Sequence, residues 1–153
     1  MKFEIEPIAT VYNKRKEASD DFWGDTVSEI RLHDSIPESS LDGIEAFSHA
    51  EIFFVFHKAT DPIVYGTAHP RGNTNWPKVG IFVQRRKSRP NHIGATICEI
   101  VKREGRSLWV KMLDAIDETP VIDIKPVLKG FLPQKEIIEP GWCKELMKDY
   151  WKS

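Results

Sequence analysis

Short apolar runs, each cut off within a few residues by turn chemistry, follow one another along this 153-residue chain. Val27–Leu32, Ala50–His57, Val79–Val83, Ala95–Val101, Leu108–Leu113 and Val121–Leu128 all have strand length. Phe3–Val11 precedes them, with Phe3 and Ile5 on one face. Between the runs stand Asp-Pro, His-Pro-Arg-Gly-Asn, Arg-Pro-Asn-His-Ile-Gly and Arg-Glu-Gly-Arg, all turn or loop formers. Apart from Glu51 and the terminal His57, Ala50–His57 is apolar and aromatic, the pattern of a strand buried on both faces. Short strands punctuated in this way predict a mainly β fold, a sandwich or a barrel. Helix is scarce. Asp42–His49 reads as a short one. In Gly141–Tyr150 the spacing of Trp142, Leu146 and Tyr150 by four makes one helical face. That stripe is expected to dock on the β structure or on a second subunit.

No internal repeat or low-complexity linker divides the chain, so residues 1–153 read as one domain. A domain of this size buries roughly 70% of its unfolded surface, enough for a core without staples. The 41% hydrophobic and 29% charged composition excludes disorder. The two cysteines, Cys98 and Cys143, form no Cys-x-x-Cys pair, which speaks against a disulfide framework and for a reducing compartment. Cys98 lies within an apolar run and reads as a buried, inert thiol. The segment Met1–Glu6 lacks the apolar stretch of a signal peptide, and no run approaches the roughly 20 residues that cross a bilayer. The expected location is cytoplasmic, without membrane contact.

Charge is unevenly spread. Between Gly66 and Met112 there are ten Lys/Arg against two acids, Glu99 and Glu104, leaving 12 bases and 21 acids for the rest. A basic middle in an acidic protein fits a local anion site, and equally a solvated face. Its densest part is Arg85-Arg86-Lys87-Ser88-Arg89, followed by the rigid turn Pro90-Asn91-His92-Ile93-Gly94. A held loop of this kind suits phosphate or carboxylate binding in a shaped pocket better than an address label. The segment Asp114–Pro126 reads as a strand end, a turn and a new strand. Val121, Asp123 and Lys125 share one face and Ile122 and Ile124 the other. The charged pair is either a buried ion pair or a carboxylate aimed into a site. The five histidines show no i,i+2 or i,i+4 pairing, so no metal site is expected. A nucleophile elbow, a phosphate-binding P-loop and a glycine-rich dinucleotide fingerprint are all missing.

Taken in order, seven pieces of the chain resemble a known family. They are Pro7–Ala9, Leu41–His49, the aromatic strand ending in His57, His69–Gly72, Gly80–Phe82, Arg89–Gly94 and Asp117–Pro126. The family is that of the TsaA-like β-barrel methyltransferases dependent on S-adenosylmethionine (SAM). Its best-known members methylate the exocyclic amine of a modified adenosine beside the tRNA anticodon. The resemblance implies a closed barrel of short, mostly antiparallel strands with one or two short helices and a C-terminal helix. It also implies a homodimer, with SAM held by loops at one end and tRNA as substrate. Matched residue by residue, His57, Lys58, Arg85, Asp117, Glu118, Thr119 and Pro120 fall at cofactor-binding positions. Asn73 stands where the family often has Asp, His92 replaces a proline, Glu118 a glycine and Val127 a tyrosine. Asp20–Gly24 occupies roughly the place of a SAM-contacting Pro-Arg-Gln-Pro-Gly stretch. A counterpart of the small C-terminal domain of the bacterial tRNA enzymes is not expected.

For such a reaction Arg85 or Lys58 would pair with the carboxylate of SAM, and Phe22, Trp23 or Phe82 would stack on its adenine. Methyl transfer is an in-line displacement, so alignment of the acceptor supplies much of the rate. The lone pair of an adenine amine is delocalised into the ring, and Asp117 or Asp123 would draw off its proton. Arg86, Lys87, Arg89 and Lys102 would contact RNA phosphates. Three other readings stand beside this one: a barrel methyltransferase acting on a small molecule or another RNA, a noncatalytic SAM-binding module, and a structural RNA-binding barrel.

Overall fold

Along the main strands every second side chain is buried, and the buried set closes on itself. A computed structural model describes residues 1–153. Six of its strands form a closed barrel: β1 (Ala9–Tyr12), β2 (Val27–Leu32), β3 (His49–Val55), β6 (Ile93–Glu104), β7 (Ser107–Lys111) and β8 (Pro120–Pro126). The order around the barrel is β1-β2-β7-β6-β3-β8, with every pair antiparallel. A two-stranded flap, β4 (Thr67–Ala68) with β5 (Val79–Gly80), interrupts the long β3–β6 connection. Ala9, Val11, Ile30, Leu32, Ala50, Ile52, Phe54, Cys98, Leu108, Val110 and Val121 fill the interior. Closure removes free strand edges, which suits strands this short.

β2 has the bounds that the sequence predicts. Elsewhere the structure corrects the reading. The first strand begins at Ala9 rather than Phe3, and Phe3 and Ile5 are 79% and 59% exposed. β3 is not buried on both faces. Ala50, Ile52 and Phe54 point inward while Glu51, Phe53 and Val55 are half-covered, and the strand ends before His57. Val79–Val83 pairs only through Val79–Gly80, then tightens into a 3-10 turn over Ile81–Val83. Asp42–His49 is not a helix. Two 3-10 turns, Glu38–Leu41 and Ile44–Ala46, flank Gly43, whose φ of 88° breaks any longer helix. The predicted face of β8 shifts part-way. A register shift opposite Phe53/Phe54 lets both Val121 and Ile124 face the core, so Asp123 and Lys125 lie outside. The terminal helix α1 spans Gly141–Leu146 only, and Tyr150 follows it in a turn.

Antiparallel order sorts the connections between two ends. The β1–β2, β3–β6 and β7–β8 loops share what is here called the upper end. The β2–β3 segment, the Gly105-Arg106 hairpin and the chain after β8 leave from the lower end. Arg103 clamps the lower end, donating to Asp42 at 2.8 Å and to the Glu38 carbonyl at 2.9 Å, with Leu41 buried beneath. No helix is long and apolar enough to cross a membrane.

Candidate functional site

Backbone strain separates the two ends. Six non-glycine residues have positive φ: Phe22, Arg71, Asn91, His92, Met112 and Glu118, between 50° and 67°. All six lie in upper-end loops. At the lower end the same conformation falls to Gly43 and Gly105. A side chain in the left-handed region costs about 1 kcal/mol. Such strain persists only where surrounding structure over-determines it, and it clusters at functional sites.

Three loops converge there. The β7–β8 loop is tied to β1 and the residues after it: Glu118 N–H donates to Val11 O at 2.8 Å and Asp117 N–H to Arg15 O at 2.7 Å. Thr119 is buried, and its hydroxyl donates to Ile116 O at 2.7 Å. Pro120 opens β8 opposite Thr10. The Asp117 carboxylate is only 7% exposed; it accepts the Asn13 N–H at 2.9 Å and pairs with Lys16. The Lys16 ammonium, assisted by the Asn13 N–H, holds that carboxyl below the usual range despite burial. Just beyond β3, Lys58 reaches across to Glu118 at 3.6 Å. Burial, then the Lys58 charge, push the His57 imidazole below its ordinary pKa. In the β3–β6 loop the exposed Arg85 donates one N–H to Ala95 O, leaving other arms of its fork free. His57, Lys58, Arg85 and Asp117–Pro120 therefore share one end of the barrel.

Not every expected residue joins them. Asp123 lies opposite Phe53 on the outer wall and pairs with Lys125 at 2.8 Å. Of the basic set, Arg86, Lys87 and Arg89 stay on the upper loop. Arg86 donates to Ser88 at 3.0 Å, Lys87 sits 4.0 Å from Asp61, and Arg89 holds the Gln84 carbonyl. Lys102 lies far along β6 beside Trp109, nine residues from Ile93, or about 30 Å. Trp23 offers no stacking wall. It is 2% exposed and covered by the Arg15 guanidinium 3.9 Å from its ring, whereas Phe22 and Phe82 are 54% and 77% exposed.

Sequence reasoning missed Asp114, Arg71 and Tyr150 as a group. Asp114 accepts hydrogen bonds from Thr96 on β6 and from the Tyr150 hydroxyl. Arg71 lies 5.9 Å over the Tyr150 ring and pairs with Asp21 at 3.0 Å. These contacts join residues 36, 18 and 50 positions apart, which no local pattern signals.

Residues 8–131 match the family model for the tRNA-methyltransferase O N-terminal domain. The chain belongs to this family. Among its relatives the chain is 39% identical over 104 residues to the Homo sapiens tRNA (adenine(37)-N6)-methyltransferase, covering 68% of this chain and 23% of that protein. A probable S-adenosyl-L-methionine-binding protein of Methanothermobacter thermautotrophicus is 35% identical over 132 residues, 82% of this chain and 90% of that one. A crystal structure of TrmO superposes with a TM-score of 0.72 at 24% identity, over 93% of this chain and 64% of that one. That likeness is of fold. The chain thus spans under a quarter of the human relative and about two thirds of TrmO. Every upper-end residue named by the resemblance lies inside the family match, whereas α1 and Tyr150 lie beyond it.

Proposed function

We propose that the chain is a SAM-dependent methyltransferase that modifies the exocyclic amine of an adenosine beside the tRNA anticodon. The convergence of His57, Lys58, Arg85 and Asp117–Pro120 on the strained end of a family barrel carries this reading. The donor set fits SAM. Lys58 and the free arms of Arg85 suit its carboxylate, and the exposed rings of Phe22 and Phe82 suit its adenine. When bound, SAM supplies an activated methyl group on sulfur. Asp117, held ionised by Lys16, accepts a hydrogen bond from an incoming amine and orients it. So stabilised a carboxylate is a weak proton sink, which makes orientation its role. Glu118 keeps Lys58 over the loop, and Thr119 fixes the turn. Arg86 and Lys87 extend the positive rim toward RNA phosphates.

Support for a homodimer comes from the outer wall. Ile97, Val127, Leu128, Phe131 and Leu132 line an open groove of about 370 Å³ flanked by Lys125 and Glu51. An apolar patch with both charges suits a second copy related by a two-fold axis. A Phe131→Asp variant that sediments as a monomer while wild type sediments as a dimer supports it, and a monomeric wild type removes it. The one-domain, cytoplasmic reading rests on a C-terminal segment packed on the barrel and on the tRNA-directed names of the relatives.

Calorimetric titration with SAM tests the function. Micromolar binding, weakened tenfold or more in Arg85→Ala and Lys58→Ala, is expected, followed by label transfer to bulk tRNA. Absence of SAM binding overturns the proposal. Transfer to metabolites but not tRNA replaces its substrate.

A further inference from the structure

The segment beyond the family match turns back to the upper end. Its backbone carbonyls accept three N–H groups of the β1–β2 loop: Phe22 to Asp149 at 3.1 Å, Trp23 to Tyr150 at 2.8 Å and Gly24 to Lys152 at 3.2 Å. Gly24 is required by this contact, since a Cβ there would stand 2.0 Å from the Trp151 carbonyl oxygen. Trp76 fastens the start of the segment, its indole N–H donating to Glu145 at 2.7 Å. At the centre, the Tyr150 hydroxyl donates to one oxygen of Asp114 while Thr96 donates to the other. Thr96 faces the barrel interior and Asp114 leads into the β7–β8 loop. Arg71 over the Tyr150 ring and its pair with Asp21 complete a chain of contacts through all three upper loops. Burial, then Asp114, push the Tyr150 hydroxyl far above its ordinary pKa, so it stays a donor; Arg71 and Arg85 pull weakly the other way.

We propose that Tyr150 is a positioning residue of the cofactor site, and that the C-terminal segment is a wall of that site which the family domain does not itself contain. The inference rests on the SAM-binding reading above. Through Asp114, Tyr150 fixes the start of the loop that carries Asp117–Pro120. Through its carbonyl, which accepts the Trp23 N–H, it fixes the turn that follows the exposed Phe22, whose own N–H goes to Asp149. Asp20–Gly24, which differs from the family's pattern, is thereby held by the chain's own C-terminal segment.

The test uses the full chain. Tyr150→Phe keeps the ring and removes the donor. It is expected to weaken SAM binding about tenfold, the order of one hydrogen bond to a charged partner, and to raise the KM for SAM with little change in kcat or in the KM for RNA. Asp114→Asn should have a similar effect, and the double variant should be no worse than either single one. Arg103→Ala releases the clamp at the lower end, away from the site, and is expected to lower the melting temperature while leaving SAM affinity unchanged. If wild type binds SAM and Tyr150→Phe binds equally well, this inference alone falls. If Arg103→Ala weakens binding as much, the effect of Tyr150 is only one of stability and the inference falls too. If wild type fails to bind SAM, both readings fall together.

Discussion

Replacing Gly94 by alanine places one methyl group against the packed face of an aromatic ring. Gly94 lies opposite Phe54 on the inner side of the β3–β6 ladder. The added Cβ would stand 2.5 Å from Cε2 and 2.6 Å from Cζ of Phe54, and 3.0 Å from Cζ of Phe56. Carbon atoms rest about 3.5–4.0 Å apart, so the Phe54 ring must retreat by about 1 Å. It has little room to do so. Phe54 is 1% exposed, and its ring meets that of Phe56 edge to face at 5.3 Å and 82°. Overpacking of this kind costs about 1–3 kcal/mol, and disturbing the aromatic pair adds about 0.5–1.5 kcal/mol. Alanine returns about 0.5–1 kcal/mol through the unfolded chain. A net loss of about 2 kcal/mol remains, or about 4–8 °C in melting temperature for a chain of this length. Thermal and urea unfolding followed by circular dichroism measure it. Phe54→Leu in the Gly94→Ala background should restore part of the loss, because the smaller side chain vacates the contested space. A melting temperature within 1 °C of wild type in Gly94→Ala would refute the packing argument, and so would simple additivity in the double variant.

Other expectations follow from the same structure. Glu118→Gly removes a side chain at φ 67° and should raise stability by about 0.5 kcal/mol, the strain relieved less the freedom glycine adds to the unfolded chain, while releasing Lys58 and weakening SAM binding; a destabilised variant in chemical unfolding would contradict the strain. Burial holds the Cys98 thiol and the Tyr150 hydroxyl well above their ordinary pKa values, so the stability they contribute is full below the unfolded values. It is lost as pH rises past about 9 for the thiol and 10 for the phenol, and alkaline melts that stay flat to pH 11 would contradict this. In RNA binding, Arg86→Ala and Lys87→Ala should each lower the salt slope by about 0.7–0.9, whereas Lys102→Ala, about 30 Å away on β6, should leave it unchanged.

Much of the barrel was legible because alternation in strands is a local signal. β2 followed from it directly, and the buried Cys98 from the apolar run around it. Two of the errors share one cause: alternation tells which face is apolar, not whether a partner covers it. Phe3 and Ile5 alternate as in a strand, yet no barrel strand pairs with them. Ala50–His57 carries Phe53 and Val55 on its outer face, but that face meets solvent and Lys125 rather than a second layer. The bulge in the β3–β8 pairing depends on the two strands together, so the orientation of Asp123 could not be read from either. The upper-end cluster was legible through motifs, because each piece is continuous in sequence. The contact of Asp114 with Tyr150 was not, because neither residue has a pattern of its own until closure brings them together.

The six left-handed residues carry a consequence for how this protein can change. Each is a place where glycine would relax the backbone, so the easiest gains in heat resistance lie in the loops read as the binding end. Selection for thermostability alone would drift toward those positions and erode the pocket before the barrel wall. A library screened for both properties should therefore keep side chains at Phe22, Arg71 and Glu118 and find its stabilising changes among the strands.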